Sequence, residues 1–193
     1  TGREKALLAF QDRLAAIRCL DPACGCGNFL VIAYRELRAL ETAIILDLTR
    51  NKHLFTEQLS RVDVNQFYGI EIEEFPARIA ETALWMMDHI MNQRLSDELG
   101  EVKLRIPLRA APTIRHADAL EIDWGSVLPP ELCSYVFGNP PFIGSKMQTD
   151  AQRAQVHRIA DLHGKKGSLD YVCCWFLKAG AYVRAAGSPS SGL

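Results

Sequence analysis

Four short stretches of this chain carry residue types from which a reactive or binding site can be built. The most constrained is Asn139-Pro140-Pro141-Phe142. Two successive prolines fix the backbone and remove two donors, so the Asn139 side chain and the Pro140 carbonyl are held in one geometry. Phe142 then offers a flat face to a base. A simple turn at a strand end needs only one proline and has no use for this aromatic.

The second stretch is DPACGCGNF, Asp21 to Phe29. Gly25 and Gly27 allow a tight turn and close approach of the backbone to a ligand. The turn runs into a helix N-terminus, whose free amides favour a carboxylate or a phosphate. The spacing is not that of the dinucleotide fingerprint GxGxxG. For the glycines alone, a purely structural strand-to-helix turn remains the alternative. The third stretch is GIEIEE, with Glu71 near the carboxyl end of a predicted strand, where an acidic side chain can accept both hydroxyls of a ribose. Glu73 and Glu74 precede a helix expected from Pro76 and complement its dipole. The fourth is Asp118 in RHADAL, a carboxylate able to take a hydrogen bond from the amino group of an adenine ring. Neighbouring His116 is assigned no role.

The elements that must position these residues alternate between short apolar runs and helical periods, the signature of a parallel α/β sheet. AIRCLDP is a predicted first strand, followed by a helix over Asn28 to Leu48 and a polar stretch. FYGIEI is a second strand, and the helix after it is expected to run from Pro76 to about Arg94. Ser96 to Pro112 reads as loop, TIRHADAL as a third strand ending near Asp118, and CSYVFGNPPF as a fourth that stops at Pro140. Residues 143 to 168 are expected to be a long polar loop, DYVCCWFLKAGAYV a final helix, and the end of the chain a disordered tail. Trp85, Met86 and Met87 are expected in the core.

The 193 residues, 48% hydrophobic and 23% charged, fit a single globular domain with a real core. No apolar run approaches the roughly 20 residues that span a bilayer. The start lacks a signal-peptide layout, so a cytoplasmic location and no membrane partner are expected. Cys19, Cys24, Cys26, Cys133, Cys173 and Cys174 show no paired zinc spacing and are expected to be reduced, mostly buried thiols. No metal is expected. A net charge of −1 argues against a free-standing nucleic-acid binder, so any such contact must come from a local patch or from further parts of a protein. Lys146, Arg153, Arg158, Lys165 and Lys166, against Asp150 and Asp161, follow NPPF directly and are candidates for such a patch, with a solvated loop as the even alternative.

In this order, DPACGCGNF, GIEIEE, Asp118 and NPPF resemble motifs I to IV of class I adenine-N6 DNA methyltransferases. The segments FLVIAYRELRALE, QFYGIEIEEFPARIAETALWMMDH, YVFGNPPFIGSK and GSLDYVCCWFLKAG resemble the methylase domain of MmeI-like restriction-modification enzymes. The resemblance covers roughly residues 15 to 183, and Cys26 stands where the family usually has serine. It implies a class I methyltransferase Rossmann-like sheet with flanking helices. The implied cofactor is S-adenosylmethionine and the implied partner double-stranded DNA, with a target adenine flipped out. Asp21, Pro22, Ala23, Cys24, Gly25, Gly27, Asn28 and Phe29 would wrap the methionine part of the cofactor. Glu71 would bind its ribose, Ile72 would pack on its adenine, and Asp118 with Ala119 would read the adenine edge. Asn139 and Pro140, backed by Pro141, would accept hydrogen bonds from the target amino group while Phe142 stacks on the target base.

The family fold has seven strands and only four are legible here, so an incomplete domain is expected over residues 1–187, with a tail at 188–193. The fourth strand would then be an unprotected edge, and DNA recognition would need a domain not present in this chain. An inert cofactor-binding fragment, or a methyltransferase for RNA or a protein glutamine, stands as the alternative.

Overall fold

The computed structural model describes residues 2–50, 60–100, 111–161 and 169–186. All three residues of strand β1, Cys19–Asp21, are buried, as a central parallel strand covered on both faces requires. The side-chain alternation of a strand divides them between two cores. Cys19 joins a cluster with Leu14, Leu30, Tyr34, Phe67, Leu84 and Ile114, whereas Leu20 joins one with Ile70, Trp124, Val136, Trp175 and Tyr182. Leu20 and Ile70 are both fully buried, and each such side chain contributes about 1.5–3 kcal/mol.

Strand β2, Phe67–Glu71, pairs with β1 on one side and with β3, Thr113–His116, on the other. Strand β4, Tyr135–Val136, pairs with the far side of β1. The order is β3-β2-β1-β4 and every pairing is parallel. All four strands therefore point their carboxyl ends toward the same edge. The expected α/β class, a Rossmann-like parallel sheet with flanking helices, is the one observed, and β4 is an edge strand among the described residues.

Helices α1 (Gly2–Ala16), α2 (Asn28–Arg50) and α3 (Glu74–Leu99) supply the first core. Helices α4 (Asp150–Ile159) and α5 (Cys173–Ala185) supply the second. Between α2 and α3 lies a buried polar network. Arg38, fully buried, donates to Asp88 at 2.8 Å, to Asn92 at 2.7 Å and to the Tyr34 hydroxyl at 2.7 Å. Glu41 accepts from Gln11 of α1 at 3.0 Å, from the Ser60 hydroxyl at 2.7 Å and from the Val62 amide at 3.1 Å. One carboxylate thus ties α1 and α2 to the chain entering β2.

Several local expectations need correction. The stretch read as loop from residue 143 contains α4, because Thr149 and Gln152 form a reciprocal capping box that supplies a helix start. Helix α3 begins at Glu74, two residues before Pro76, which sits in the first turn where its missing N–H is not needed. It continues past Arg94 to Leu99 and stops at Gly100, whose left-handed backbone (φ 66°) ends the helix. Trp85 and Met86 are not core residues: at 44% and 61% exposure they lie on the outer face, and Ala77, Ala80, Leu84, Met91 and Leu95 face inward. Only Met87 of that trio packs against the core. Strand β4 is shorter than the apolar run suggested, and β3 ends at His116 rather than near Asp118. The six cysteines are free thiols, with Cys26 exposed. The tail at 188–193 and Lys165 and Lys166 lie outside the described residues.

Candidate active site

The parallel sheet brings the segments after β1, β2, β3 and β4 to one edge, where ligands of open α/β sheets bind. Backbone bonds lock these segments to one another. The Cys24 amide donates to the Ile70 carbonyl at 3.1 Å, the Ala117 amide to the Glu71 carbonyl at 2.9 Å, and the Phe137 amide to the Leu20 carbonyl at 3.0 Å.

The turn after β1 is built around two left-handed glycines, Gly25 at φ 53° and Gly27 at φ 82°. A β-carbon on Gly27 would stand 2.9 Å from that of Ala80, so glycine lets α2 approach α3 there. A β-carbon on Gly25 would meet only open space, which leaves room for a ligand against the bare backbone. Helix α2 starts at Asn28 with no acidic residue in its first turn. Asn28, Cys26 and Phe29 are exposed. Pro22 and Cys24 are buried, and burial pushes the Cys24 thiol far above its ordinary range, so it stays protonated.

Asp21 has no solvent exposure. Its Oδ1 accepts from the Ala23 amide at 3.0 Å, but its Oδ2 has no partner. Burial pushes this carboxyl up to about 7, the Ala23 amide works against that shift, and the negative charge of Glu71 adds to it. Gly138, the residue before Asn139, lies directly against it: a β-carbon there would stand 2.5 Å from Asp21 Oδ1. The glycine lets the segment after β4 run beside the carboxyl.

Glu71 turns back on the glycine loop. Its Oε2 accepts from the Gly25 amide at 2.8 Å and its Oε1 from the Glu73 amide at 2.9 Å. Two amides fix the carboxylate plane, and each oxygen keeps a further lone pair for a hydroxyl. Ile72, the next residue, is 58% exposed. Its carbonyl lies 3.1 Å from His116 Nε2, a contact to which the sequence offered no guide. Asp118 stands in a turn after β3: its Oδ1 accepts from the Leu120 amide at 2.8 Å and its Oδ2 from Gln155 Nε2 of α4 at 2.8 Å. Ala119 is buried, and its carbonyl accepts from Trp124 Nε1 at 2.8 Å.

Asn139 and Pro141 are exposed, Pro140 is half-buried, and Phe142 is 72% exposed. An aromatic ring this open, at the end of a rigid diproline, has an unused stacking face. The residue after it is firmly held. The Ile143 carbonyl accepts from Tyr171 N at 3.0 Å and from Gln148 Nε2 at 3.0 Å, and its amide donates to Asp170 Oδ1 at 3.2 Å.

Three supporting residues went unread in the sequence. Gly138 is visible only once β4 is laid beside β1. Trp175 of α5 donates through Nε1 to the Pro22 carbonyl at 3.0 Å across the second core. Gln155 sits on a helix whose local signals are the capping box at Thr149, Asp150 in its first turn, and His157 and Arg158 in its last. Of the loop cations, Arg158 pairs with Glu121, and Arg153 donates to the Gln148 carbonyl at 2.8 Å.

Comparison with known proteins agrees with this arrangement. The family model described as the MmeI DNA-methyltransferase domain matches residues 1–191. DNA methyltransferase A of Bacillus subtilis (strain 168) is 40% identical over 176 residues, covering 89% of this chain and 20% of that protein. The solved structure of the type IIL restriction-modification enzyme MmeI in complex with DNA is 45% identical with a TM-score of 0.91. That alignment covers 97% of this chain and 25% of the MmeI chain. The chain thus spans about a fifth to a quarter of the length of these relatives. With four motif segments along one sheet edge and a family match over almost all its residues, it belongs to the MmeI DNA-methyltransferase domain family.

Proposed function

We propose that this chain is the catalytic core, over residues 1–187, of a DNA methyltransferase of a restriction-modification system. It uses S-adenosylmethionine to methylate the N6 amino group of adenine. The observation that carries the reading is the convergence at one edge of a glycine cradle, a ribose-type carboxylate and a rigid NPPF segment. Family membership and a relative solved on DNA support it.

The residues present fit the cofactor. Asp21 and Glu71 flank the glycine turn with carboxyl groups, and Asp118 adds a third at the same sheet edge, which suits a cationic ligand bearing ribose hydroxyls and opposes a phosphate-rich one. The unpartnered Oδ2 of Asp21 and the space against Gly25 both call for a ligand group. Asp21 to Phe29 hold the methionine end, Glu71 the ribose, Ile72 one face of the adenine, and Asp118 with Ala119 its edge.

When bound, S-adenosylmethionine supplies a methyl carbon made electrophilic by its positive sulfur. The chain's own contribution is placement. Asn139 Oδ1 and the Pro140 carbonyl accept from the target amino group, favouring a more tetrahedral nitrogen whose lone pair is free to attack. The diproline holds both acceptors still, and holding two reacting groups in line can supply up to roughly 7–11 kcal/mol. Phe142 stacks on the base and offsets part of the cost of taking it out of the duplex. The methylated ammonium is acidic enough to pass its proton to water, so no side chain need act as a strong base.

Calorimetric titration of S-adenosylmethionine tests the cofactor site. Saturable binding is expected, weakened in Glu71→Ala by about 1–3 kcal/mol, the range for loss of a buried partner. Asn139→Ala is expected to keep that affinity and to lower transfer of labelled methyl to adenine-containing duplex by on the order of a hundredfold. No binding by a folded wild-type chain would overturn the reading. Binding without transfer to DNA would reassign the chain as a cofactor-binding module, and transfer to RNA or a protein glutamine would reassign its substrate.

A further inference from the structure

The amide of Gln155 has both ends committed. Its Nε2 donates to Asp118 Oδ2 at 2.8 Å and to Glu121 Oε1 at 2.6 Å, which uses both N–H groups of a primary amide. Its Oε1 accepts from the Tyr171 hydroxyl. Tyr171 is 7% exposed, and burial pushes its phenol up to about 12, so it carries its proton. A neutral amide oxygen can only accept, so the phenol must be the donor. The amide has one acceptable orientation, because the flipped form would press its oxygen against two carboxylates.

This matters for Asp118. A carboxylate tethered only through the Leu120 amide can swing about its terminal torsion. With Oδ1 on Leu120 and Oδ2 on Gln155, its plane is set, and two of its four lone pairs remain in fixed directions. Tyr171, which orients Gln155, also clamps Ile143 through its backbone amide. A path of hydrogen bonds therefore runs from the residue after Phe142, through Tyr171 and Gln155, to Asp118.

We propose that Gln155 is a positioning residue for the cofactor: it orients Asp118 to accept from the adenine amino group and thereby sets selectivity for adenine over its deaminated counterpart. The proposal rests on the assignment of Asp118 to the cofactor's adenine edge. Its probes are S-adenosylhomocysteine and S-inosylhomocysteine, which differ by an amino group against a carbonyl. Calorimetric affinities for both are compared in the wild-type chain, Asp118→Ala, Gln155→Ala and Tyr171→Phe, with thermal melts to verify folding.

The wild type is expected to prefer the adenosyl compound by about tenfold or more, and Asp118→Ala to lose that preference. In Gln155→Ala the preference is expected to fall by about three- to tenfold, the equivalent of one hydrogen bond. Tyr171→Phe, which removes only the hydroxyl, should move it the same way by a smaller factor, and serves if Gln155→Ala does not fold. A preference lost in Asp118→Ala but intact in Gln155→Ala and Tyr171→Phe would overturn the proposal and leave the assignment of Asp118 standing. Equal weakening for both compounds would mark a merely structural role and also overturn it. A wild type with no preference would overturn the assignment of Asp118 and the proposal together.

Discussion

Asp21 is the residue at which burial and chemistry meet most directly. In an unfolded chain an aspartate titrates near 3.9, whereas here burial raises the carboxyl to about 7. Between those values the folded state holds a proton that the unfolded chain has released. The group's contribution to stability is therefore full below the unfolded value and is lost as pH rises through about 7. Urea unfolding at pH 5 and pH 8, without cofactor, should show a fall of about 2–3 kcal/mol attributable to this group. In Asp21→Asn, which cannot ionise, that part of the fall is expected to vanish. An unchanged pH dependence would mean that the carboxyl is ionised in the folded chain despite its burial.

At the scale of elements, the α2–α3 pair sets where the glycine turn and Glu71 stand, since α2 grows from the turn and α3 follows Glu71. Their contact is partly ionic. Arg38 is wholly buried among Asp88, Asn92, Tyr34 and Glu41, with only its Nε left without a hydrogen bond. Removing one partner of a buried charge network leaves the others uncompensated, a loss of about 3–5 kcal/mol. Arg38→Ala should lower the free energy of unfolding by that amount in a urea titration. A change below about 1 kcal/mol, as for exposed pairs, would mean that water reaches the network.

At the scale of the whole molecule, α5 reaches across the second core to the turn on β1. Trp175 donates to the Pro22 carbonyl and packs at 5.4 Å edge-on to Tyr171, which ties the helix to the turn after β1 and to the residue that holds Ile143. Trp175→Phe keeps an aromatic in the core but drops the donor. It is expected to weaken S-adenosylmethionine binding by about 1 kcal/mol, the usual worth of such a bond, as read by calorimetry. Unaltered affinity with a lowered melting temperature would confine Trp175 to a packing role.

The sequence alone determined the parallel α/β class, the order of its strands along the chain and the four motif segments. These are local properties. Hydrophobic period marks each element, glycine and proline mark each turn, and parallel strands must deliver their ends to one edge. The capping box at Thr149 is equally local, but α4 buries only Val156 and so lacks the apolar period that marks the other helices. What only the tertiary structure decided depends on residues far apart in the chain. Examples are Gly138 making room for Asp21, Arg38 closing α2 onto α3, and Gln155 reaching Asp118 from α4. No sequence period encodes such pairs, because a buried polar atom takes its partner from whichever element the fold lays beside it. The exposure of Trp85 and Met86 was decided in the same way, by which face of α3 the sheet and α2 happened to cover.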